Sequence, residues 1–218
     1  MRPPIPRTIF TSYAVAYLIG FVIAEIIYAL LSPPDQAAVT AWASTNVHNL
    51  GHDPVGCLVA SAFVTGEFAT AWPILIALAM FGANRVLGNW RTLLVCAAGQ
   101  LIGTLVSEGI VDYRVSRGAL PALDRSLIDV GPSYVVVSAI MVALLYGSWL
   151  ARGAAALDLA LLIFVGDIFD GLSQLSYTAV GHVTAMLVGT IGGTFLVWRQ
   201  RPVLRGEDPA GTRAGQPG

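Results

Sequence analysis

The sequence predicts an all-α integral membrane protein, a bundle of six transmembrane helices with both termini in the cytoplasm. Of its 218 residues, 56% are hydrophobic and only 11% are charged, and the mean hydropathy is +0.71. Soluble domains carry about 25% charged residues. The apolar residues are gathered into runs, several of which approach the roughly 20 residues that a helix needs to cross a bilayer.

Charge and cysteine content exclude several classes of protein. The net charge is -1, and no basic stripe of the kind that nucleic-acid binding requires is present. All 12 basic residues are arginine. Cys57 and Cys96 lie inside apolar runs, where a thiol behaves as a small hydrophobic group. We therefore expect no nucleic-acid partner, no disulfide framework, no metal site at these cysteines and no cofactor.

Each predicted span is an apolar run bounded by polar or turn-forming residues. The spans cover residues 9–31, 55–81, 92–111, 133–151, 154–169 and 177–198. The first run is longer than the apolar region of a signal peptide, the alternative interpretation, and it lacks a small-residue cleavage site. Residues 33–54 are polar enough to predict an external loop. Gly66 and Pro73 interrupt the second span, and such breaks are tolerated only where the backbone faces protein or a water-filled cavity.

The arginines predict the orientation of the bundle. An even number of spans places both termini on one side, and nine arginines fall on that side. The other side has three, Arg114, Arg117 and Arg125. Because cytoplasmic loops carry the excess of arginine, the termini are predicted to lie in the cytoplasm. The bundle itself is predicted to lie in the plasma membrane. The predicted segments are a cytoplasmic N-terminus at 1–8, a membrane domain at 9–198 and a disordered tail at 199–218.

Ser133 lies where a polar turn leads directly into the fourth apolar run. Gly131 permits an open turn, and Pro132 is suited to a helix start because it has no N–H to lose. A hydroxyl at this point lies at the positive end of the helix dipole, where a developing oxyanion is stabilised. The alternative is structural, since serine often caps a first turn by accepting a hydrogen bond from an orphan N–H.

His182 lies in the outer part of the sixth predicted span, at the same depth as Ser133. Ala185, Gly189 and Gly193 follow at every fourth residue and form a small-residue face that lets another helix approach closely. A serine and a histidine in contact are the minimum for nucleophilic catalysis, since the imidazole takes the hydroxyl proton. The alternative is a histidine that hydrogen-bonds a neighbouring span for structure alone.

Four short motifs, in the expected order and spans, resemble those of the rhomboid intramembrane proteases. Gly131-Pro132-Ser133 matches the family's G-x-S, and His182 with Gly189 matches its A-H-x-x-G-x-x-x-G. Residues 84–91 resemble the E-x-x-x-G-x-x-R turn before the third span, with Asn84 in place of Glu. Residues 61–66 resemble the family's S-A-F-x-H-G. The resemblance covers about residues 55–197 and implies a Ser133 nucleophile and a His182 general base.

The departures from the family pattern concern the groups around this pair. The family's second span carries H-x-x-x-x-H-x-x-x-N, where this chain has Thr65, Thr70 and Ile74. Tyr134 replaces the glycine that follows the serine, and Val137 replaces a tyrosine that often stacks on the histidine. The weak candidates for oxyanion stabilisation or substrate lining are therefore Gly131, Thr65, Thr70 and Tyr134.

Three functions remain open from the sequence. The first is an intramembrane serine protease that cleaves transmembrane substrates, and the second is an inactive pseudoprotease that binds transmembrane clients. The third is a small-solute or ion carrier that uses acids in or near the spans, Glu67, Glu108, Asp167 and Asp170. An external metal site at His48, His52 and Asp53 is a further interpretation, although Gly51 and Pro54 favour a loop there. Ser133 and His182 match the family's catalytic residue types, which favours the protease.

Overall fold

The computed structural model describes residues 12–66 and 70–205, and within these two ranges it is helical without strands. The α-helices are α1 Ser12–Leu30, α2 Pro33–Ala43, α3 Val47–His52, α4 Pro54–Ser61, α5 Trp72–Leu87, α6 Asn89–Ser116, α7 Ser133–Tyr146, α8 Trp149–Phe164 and α9 Tyr177–Arg205. Two 3₁₀ helices cover Ala122–Ser126 and Leu172–Gln174. Residues 1–11, 67–69 and 206–218 lie outside the described ranges. The cytoplasmic N-terminus predicted at 1–8 and Glu67 are therefore not described.

Among the residues that the structure describes, three helices are long and apolar enough to cross a membrane. They are Tyr13–Leu30, Asn89–Ser116 and Tyr177–Gln200. Helices α5 and α7 are apolar but shorter. The sequence therefore predicted the class, an all-helical membrane protein, correctly.

The external loop predicted at residues 33–54 is largely helical. Ser32, Asn46 and Asp53 each accept a hydrogen bond from a backbone N–H in the first turn of the helix that follows, so three short helices begin at three polar caps. Pro33 and Pro54 occupy first-turn positions, where a missing N–H costs nothing. A polar segment was correctly predicted, but its capping chemistry was not recognised.

The second predicted span, 55–81, is broken into two helices. Helix α4 ends at Ser61, Gly66 adopts a positive φ of 75°, and α5 begins only at Trp72 with Pro73 in its first turn. The interruption expected at Gly66 and Pro73 is therefore confirmed, and it divides the predicted span into α4 and α5.

Two connections also differ from the sequence-based boundaries. The turn after α7 is at Gly147 and Ser148, because the Ser148 hydroxyl accepts a hydrogen bond from Ala151 N–H and starts α8 there. The predicted boundary between the spans 133–151 and 154–169 is wrong, since Arg152 and Gly153 both lie inside α8. Helix α9 continues to Arg205, past the predicted start of the tail at 199.

Helix α7 is the centre of the bundle. Its side chains are buried on almost every face, including Val136, Val137, Ile140 and Val142, each at 0% exposure. Such a helix requires partners all round, and α7 packs against α5, α6, α8 and α9.

Glycines let the neighbouring helices approach α7 closely. A methyl group added at Gly99 of α6 would meet the Ser138 side chain, and one at Gly189 of α9 would lie 2.5 Å from Ser138 O. The Ser138 hydroxyl lies 3.0 Å from Ala185 O on α9. The close helix contact predicted from the small-residue face of α9 is therefore confirmed.

Candidate active site

Ser133 is the first residue of α7 and is half-buried. The turn before it is fixed by Gly131, whose N–H donates to Ser61 O at 2.9 Å and whose φ of 135° favours glycine. Within the described ranges the Ser133 side chain neither caps α7 nor makes another hydrogen bond. The capping role is therefore not realised in this structure, and the hydroxyl is left unengaged at the positive end of the helix.

His182 is buried, with 3% of its surface exposed. Its Nδ1 lies 3.1 Å from Ile168 O, a carbonyl that can only accept, so Nδ1 carries the proton in this bond. Nε2 is then the basic nitrogen, and it has no hydrogen-bond partner among the described residues. One imidazole nitrogen is thus oriented by the backbone while the other retains an unused lone pair.

The structure does not join Ser133 and His182 by a hydrogen bond. His182 Nε2 is buried without a hydrogen-bond partner among the described residues, whereas Ser133 is only half-buried. Catalytic hydrogen bonds often tighten only in the complex with substrate. The two residues therefore have the right chemistry for a catalytic pair but lack the direct contact that catalysis needs.

Tyr134 points into the bundle and contacts the histidine. Its ring meets the His182 ring edge-on, with centroids 5.0 Å apart and an interplanar angle of 76°. A methyl group at Gly181 would overlap the Tyr134 hydroxyl, and one at Gly103 would lie 3.3 Å from the ring. The two glycines thus make the space that the tyrosine occupies. Sequence reasoning identified Tyr134 as a departure from the family but did not find its contact with His182.

The other oxyanion candidates are placed differently. The hydroxyl of Thr65 donates to Glu25 Oε2 at 3.1 Å, and its backbone N–H donates to Glu25 Oε1 at 2.9 Å. Thr70 is exposed in the turn before α5. Unpaired N–H groups in the first turn of α7 are the remaining donors near Ser133.

A polar cluster holds the turn that leads to Ser133. Thr45 N–H donates to Asp129 O at 2.8 Å, and the Thr45 hydroxyl lies 3.2 Å from Asp129 Oδ2. Ser44 Oγ accepts from Asp129 N–H at 2.9 Å. Burial raises the pKa of Asp129 to about 6, against the lowering effect of the Thr45 hydrogen bond. Sequence reasoning missed this cluster, because its members are more than 80 residues apart and only the fold brings them together.

The remaining polar candidates have local structural roles or no assigned partner. Glu108 Oε2 accepts from Val47 N–H at 3.1 Å. Asp167 adopts a positive φ of 49° in the bend after α8, where Asp170 N–H donates to its carbonyl. Glu108 is therefore engaged by the external segment, which leaves less of the acid set that the carrier interpretation needs.

The external histidines stack on each other. The rings of His48 and His52 are 4.4 Å apart, and His52 Nδ1 lies 2.7 Å from His48 O. The Asp53 carboxylate caps α4 through Gly56 N–H. Within the described ranges no group of three His, Cys, Asp or Glu side chains could hold a metal ion.

The fold and the site define a helical membrane protein with a serine in the first turn of α7 and a buried histidine on α9, a helix that packs against α7. Residues 10–201 match the family of rhomboid-like proteins, so the chain belongs to that family. No curated protein matches the chain, and no solved structure matches it either.

Proposed function

We propose that this rhomboid-like protein is an intramembrane serine protease that cleaves transmembrane substrates. The observation that carries the proposal is His182, whose Nδ1 is oriented by Ile168 O while Nε2 remains unpaired. A buried basic nitrogen without a partner is costly, and it is the group that a nucleophilic serine requires.

In the proposed mechanism, Ser133 Oγ attacks the scissile carbonyl and His182 Nε2 takes the hydroxyl proton. N–H groups of the first turn of α7 stabilise the oxyanion, since no side-chain donor corresponds to the family's histidine and asparagine. His182 then protonates the leaving amine, and water hydrolyses the acyl-enzyme. Loss of one oxyanion donor costs about 10²–10³ in kcat, so the reaction is expected to be slow.

The test is covalent labelling of the purified protein by a fluorophosphonate probe in detergent. We expect labelling of the wild type and loss of labelling in Ser133→Ala and in His182→Ala. Ser138→Ala is the matched control, because Ser138 lies on the same helix with its hydroxyl already bonded to backbone carbonyls. Equal labelling of the wild type and Ser133→Ala would refute Ser133 as the nucleophile.

A second candidate function is a pseudoprotease that binds transmembrane clients without cutting them. Two observations favour it: Ser133 and His182 share no hydrogen bond, and Thr65 is committed to Glu25. A folded wild type that the probe leaves unlabelled would support this function over the protease.

We further propose that α1, α5, α6, α7, α8 and α9 cross the membrane, with both termini in the cytoplasm of a plasma-membrane protein. The excess of arginine on the terminal side supports this orientation. Single cysteines at Gly118 and Gly88, in a background without Cys57 and Cys96, test it in intact cells. Gly88 lies in the turn between α5 and α6. A membrane-impermeant maleimide should label the external Gly118 position and not Gly88, and the reverse result would overturn the topology.

A further inference from the structure

His48 and His52 lie one turn apart on α3, and both side chains are exposed. Their rings are 4.4 Å apart and inclined by 33° to each other. Residues four apart on a helix share a face, so this spacing brings the two rings together. The chain has three histidines, and the third, His182, is buried at 3% exposure. The exposed imidazoles of this protein are therefore concentrated at one place.

The hydrogen bond of the His52 ring is of the kind that metal ligands make. Its Nδ1 lies 2.7 Å from His48 O, and because a carbonyl oxygen only accepts, Nδ1 donates and carries the proton. Nε2 is then the basic nitrogen. A histidine that binds a metal ion usually donates its other ring N–H to a carboxylate or a carbonyl, which fixes the tautomer and the ring orientation. Here the carbonyl belongs to His48, so the same bond fixes the two histidines relative to each other.

The spacing of the two rings suits a shared metal ion. Zinc–nitrogen bonds are about 2.0–2.1 Å long, so two nitrogens on one ion lie at most about 4 Å apart. Rings whose centroids are 4.4 Å apart can bring one nitrogen each into that range by small rotations of their exposed side chains. The site has two protein ligands, whereas structural zinc sites have four, so water completes the coordination. Binding is therefore expected to be reversible and weaker than at a structural site.

Contacts outside the histidine pair hold α3 in place before any ion binds. A helix of six residues is too short to be stable by itself. The Asn46 side chain caps it by accepting from Asn49 N–H at 2.9 Å, and Val47 N–H donates to Glu108 Oε2 at 3.1 Å. The side-chain amide of Asn49 also donates to Ser44 O at 2.8 Å. The two histidines are thus presented on a turn that is already ordered, which reduces the entropy cost of binding an ion between them.

We propose that His48 and His52 together bind one divalent transition-metal ion, such as Zn²⁺ or Cu²⁺, through one nitrogen of each ring. Imidazole nitrogen suits these ions, whereas Ca²⁺ and Mg²⁺ prefer oxygen ligands. The bound ion joins two positions one turn apart and so stabilises α3 in its helical form. The proposal does not depend on whether the protein cleaves substrates.

The test is titration of the purified full chain in detergent, without a histidine tag. Cys57 and Cys96 are replaced by alanine so that no thiol contributes a ligand. Isothermal titration calorimetry with Zn²⁺, Cu²⁺ and Ca²⁺ measures stoichiometry and affinity. We expect one Zn²⁺ or Cu²⁺ per chain, tighter binding of Cu²⁺ than of Zn²⁺, and no binding of Ca²⁺. The affinity should fall as the pH is lowered, because protons compete for the ring nitrogens.

The variants His48→Ala and His52→Ala should each lower the affinity by about tenfold or more, because the second imidazole no longer holds the ion beside the first. Electron paramagnetic resonance of bound Cu²⁺ should show two imidazole nitrogens in the wild type and one in either variant. Gly51→Ala is the matched control on the same helix. Its added methyl group meets nothing within 4 Å, so the affinity should be retained.

Equal affinity of the wild type and either histidine variant would overturn the proposal. Binding of Ca²⁺ as tight as that of Zn²⁺ would also overturn it, since that result indicates oxygen ligands. A wild-type Cu²⁺ spectrum without two imidazole nitrogens would refute it even if a variant did not fold. Failure of fluorophosphonate labelling would refute the protease without affecting any of these results.

Discussion

Replacement of Gly189 by alanine is expected to force α9 away from α7. The added methyl group would lie 2.5 Å from Ser138 O and 2.8 Å from Ser138 Cα. Both are backbone atoms of the central helix, so no side-chain rotation relieves the contact. Overpacking costs typically 1–3 kcal/mol, whereas alanine in place of glycine gains up to about 1 kcal/mol in a helix. The free energy of unfolding should therefore fall by roughly 1–2 kcal/mol.

Gly192→Ala is the matched control on the same helix. The nearest atom to its added methyl group is Val95 Cγ2 at 3.7 Å, an ordinary van der Waals distance. Only the helix-propensity gain applies, so the free energy of unfolding should rise by about 0.5–1 kcal/mol. Both variants are measured by reversible unfolding of the purified protein in mixed micelles with increasing sodium dodecyl sulfate.

The same variant tests the link between packing and the site. His182 lies two turns from Gly189 on α9, so displacement of the helix also moves the imidazole relative to Ser133. A misplacement of about 1 Å can cost on the order of 100-fold in rate, which a fluorophosphonate time course would detect. If Gly189→Ala proves as stable as Gly192→Ala, the reasoning from close helix approach is refuted.

Two further predictions concern the surroundings of Ser133. Gly181→Ala should destabilise the wild type and have little effect in a Tyr134→Ala background, because the ring that the new methyl would meet is then absent. Thermal unfolding of the two single variants and the double variant measures this coupling, and additive effects would contradict it. Asp129→Asn should stabilise the protein by roughly 1–2 kcal/mol at pH 7 and not at pH 4. The folded-state pKa of Asp129 is raised to about 6, so the wild type loses stability as pH rises from about 4 to 6. Stability curves of the two proteins that remain parallel over this range would exclude the effect.

Long apolar helices could be predicted from the sequence because hydropathy is a local signal. The runs predicted at 9–31 and 177–198 end within a few residues of the candidate membrane helices Tyr13–Leu30 and Tyr177–Gln200. The errors occurred where a single side chain decides a boundary. Ser148 caps α8 and moves the turn from Arg152 to Gly147, and a serine in an apolar run gives no signal in hydropathy.

The candidate site was predictable only in part, for a related reason. Ser133 and His182 were proposed from their residue types and their predicted depths in the spans. The partners that fix them are backbone atoms or distant residues: Ile168 O for His182, and Ser61 O for the turn at Gly131. Every residue has a backbone carbonyl, so no pattern of residue types in the sequence could have identified these contacts.

Two departures from the family motifs, at Tyr134 and Val137, are related to each other. The family's tyrosine four residues after the serine is Val137 here, which by itself removes an aromatic support for the histidine. Tyr134 brings an aromatic ring to His182 from one turn earlier, and Gly103 and Gly181 provide the space that this requires. An aromatic contact to His182 is therefore retained. Thr65 and Thr70 do not replace the family's oxyanion donors, because Thr65 is bonded to Glu25 and Thr70 lies on the surface. The proposed protease activity thus depends on whether the N–H groups at the start of α7 can stabilise the oxyanion without help from a side chain.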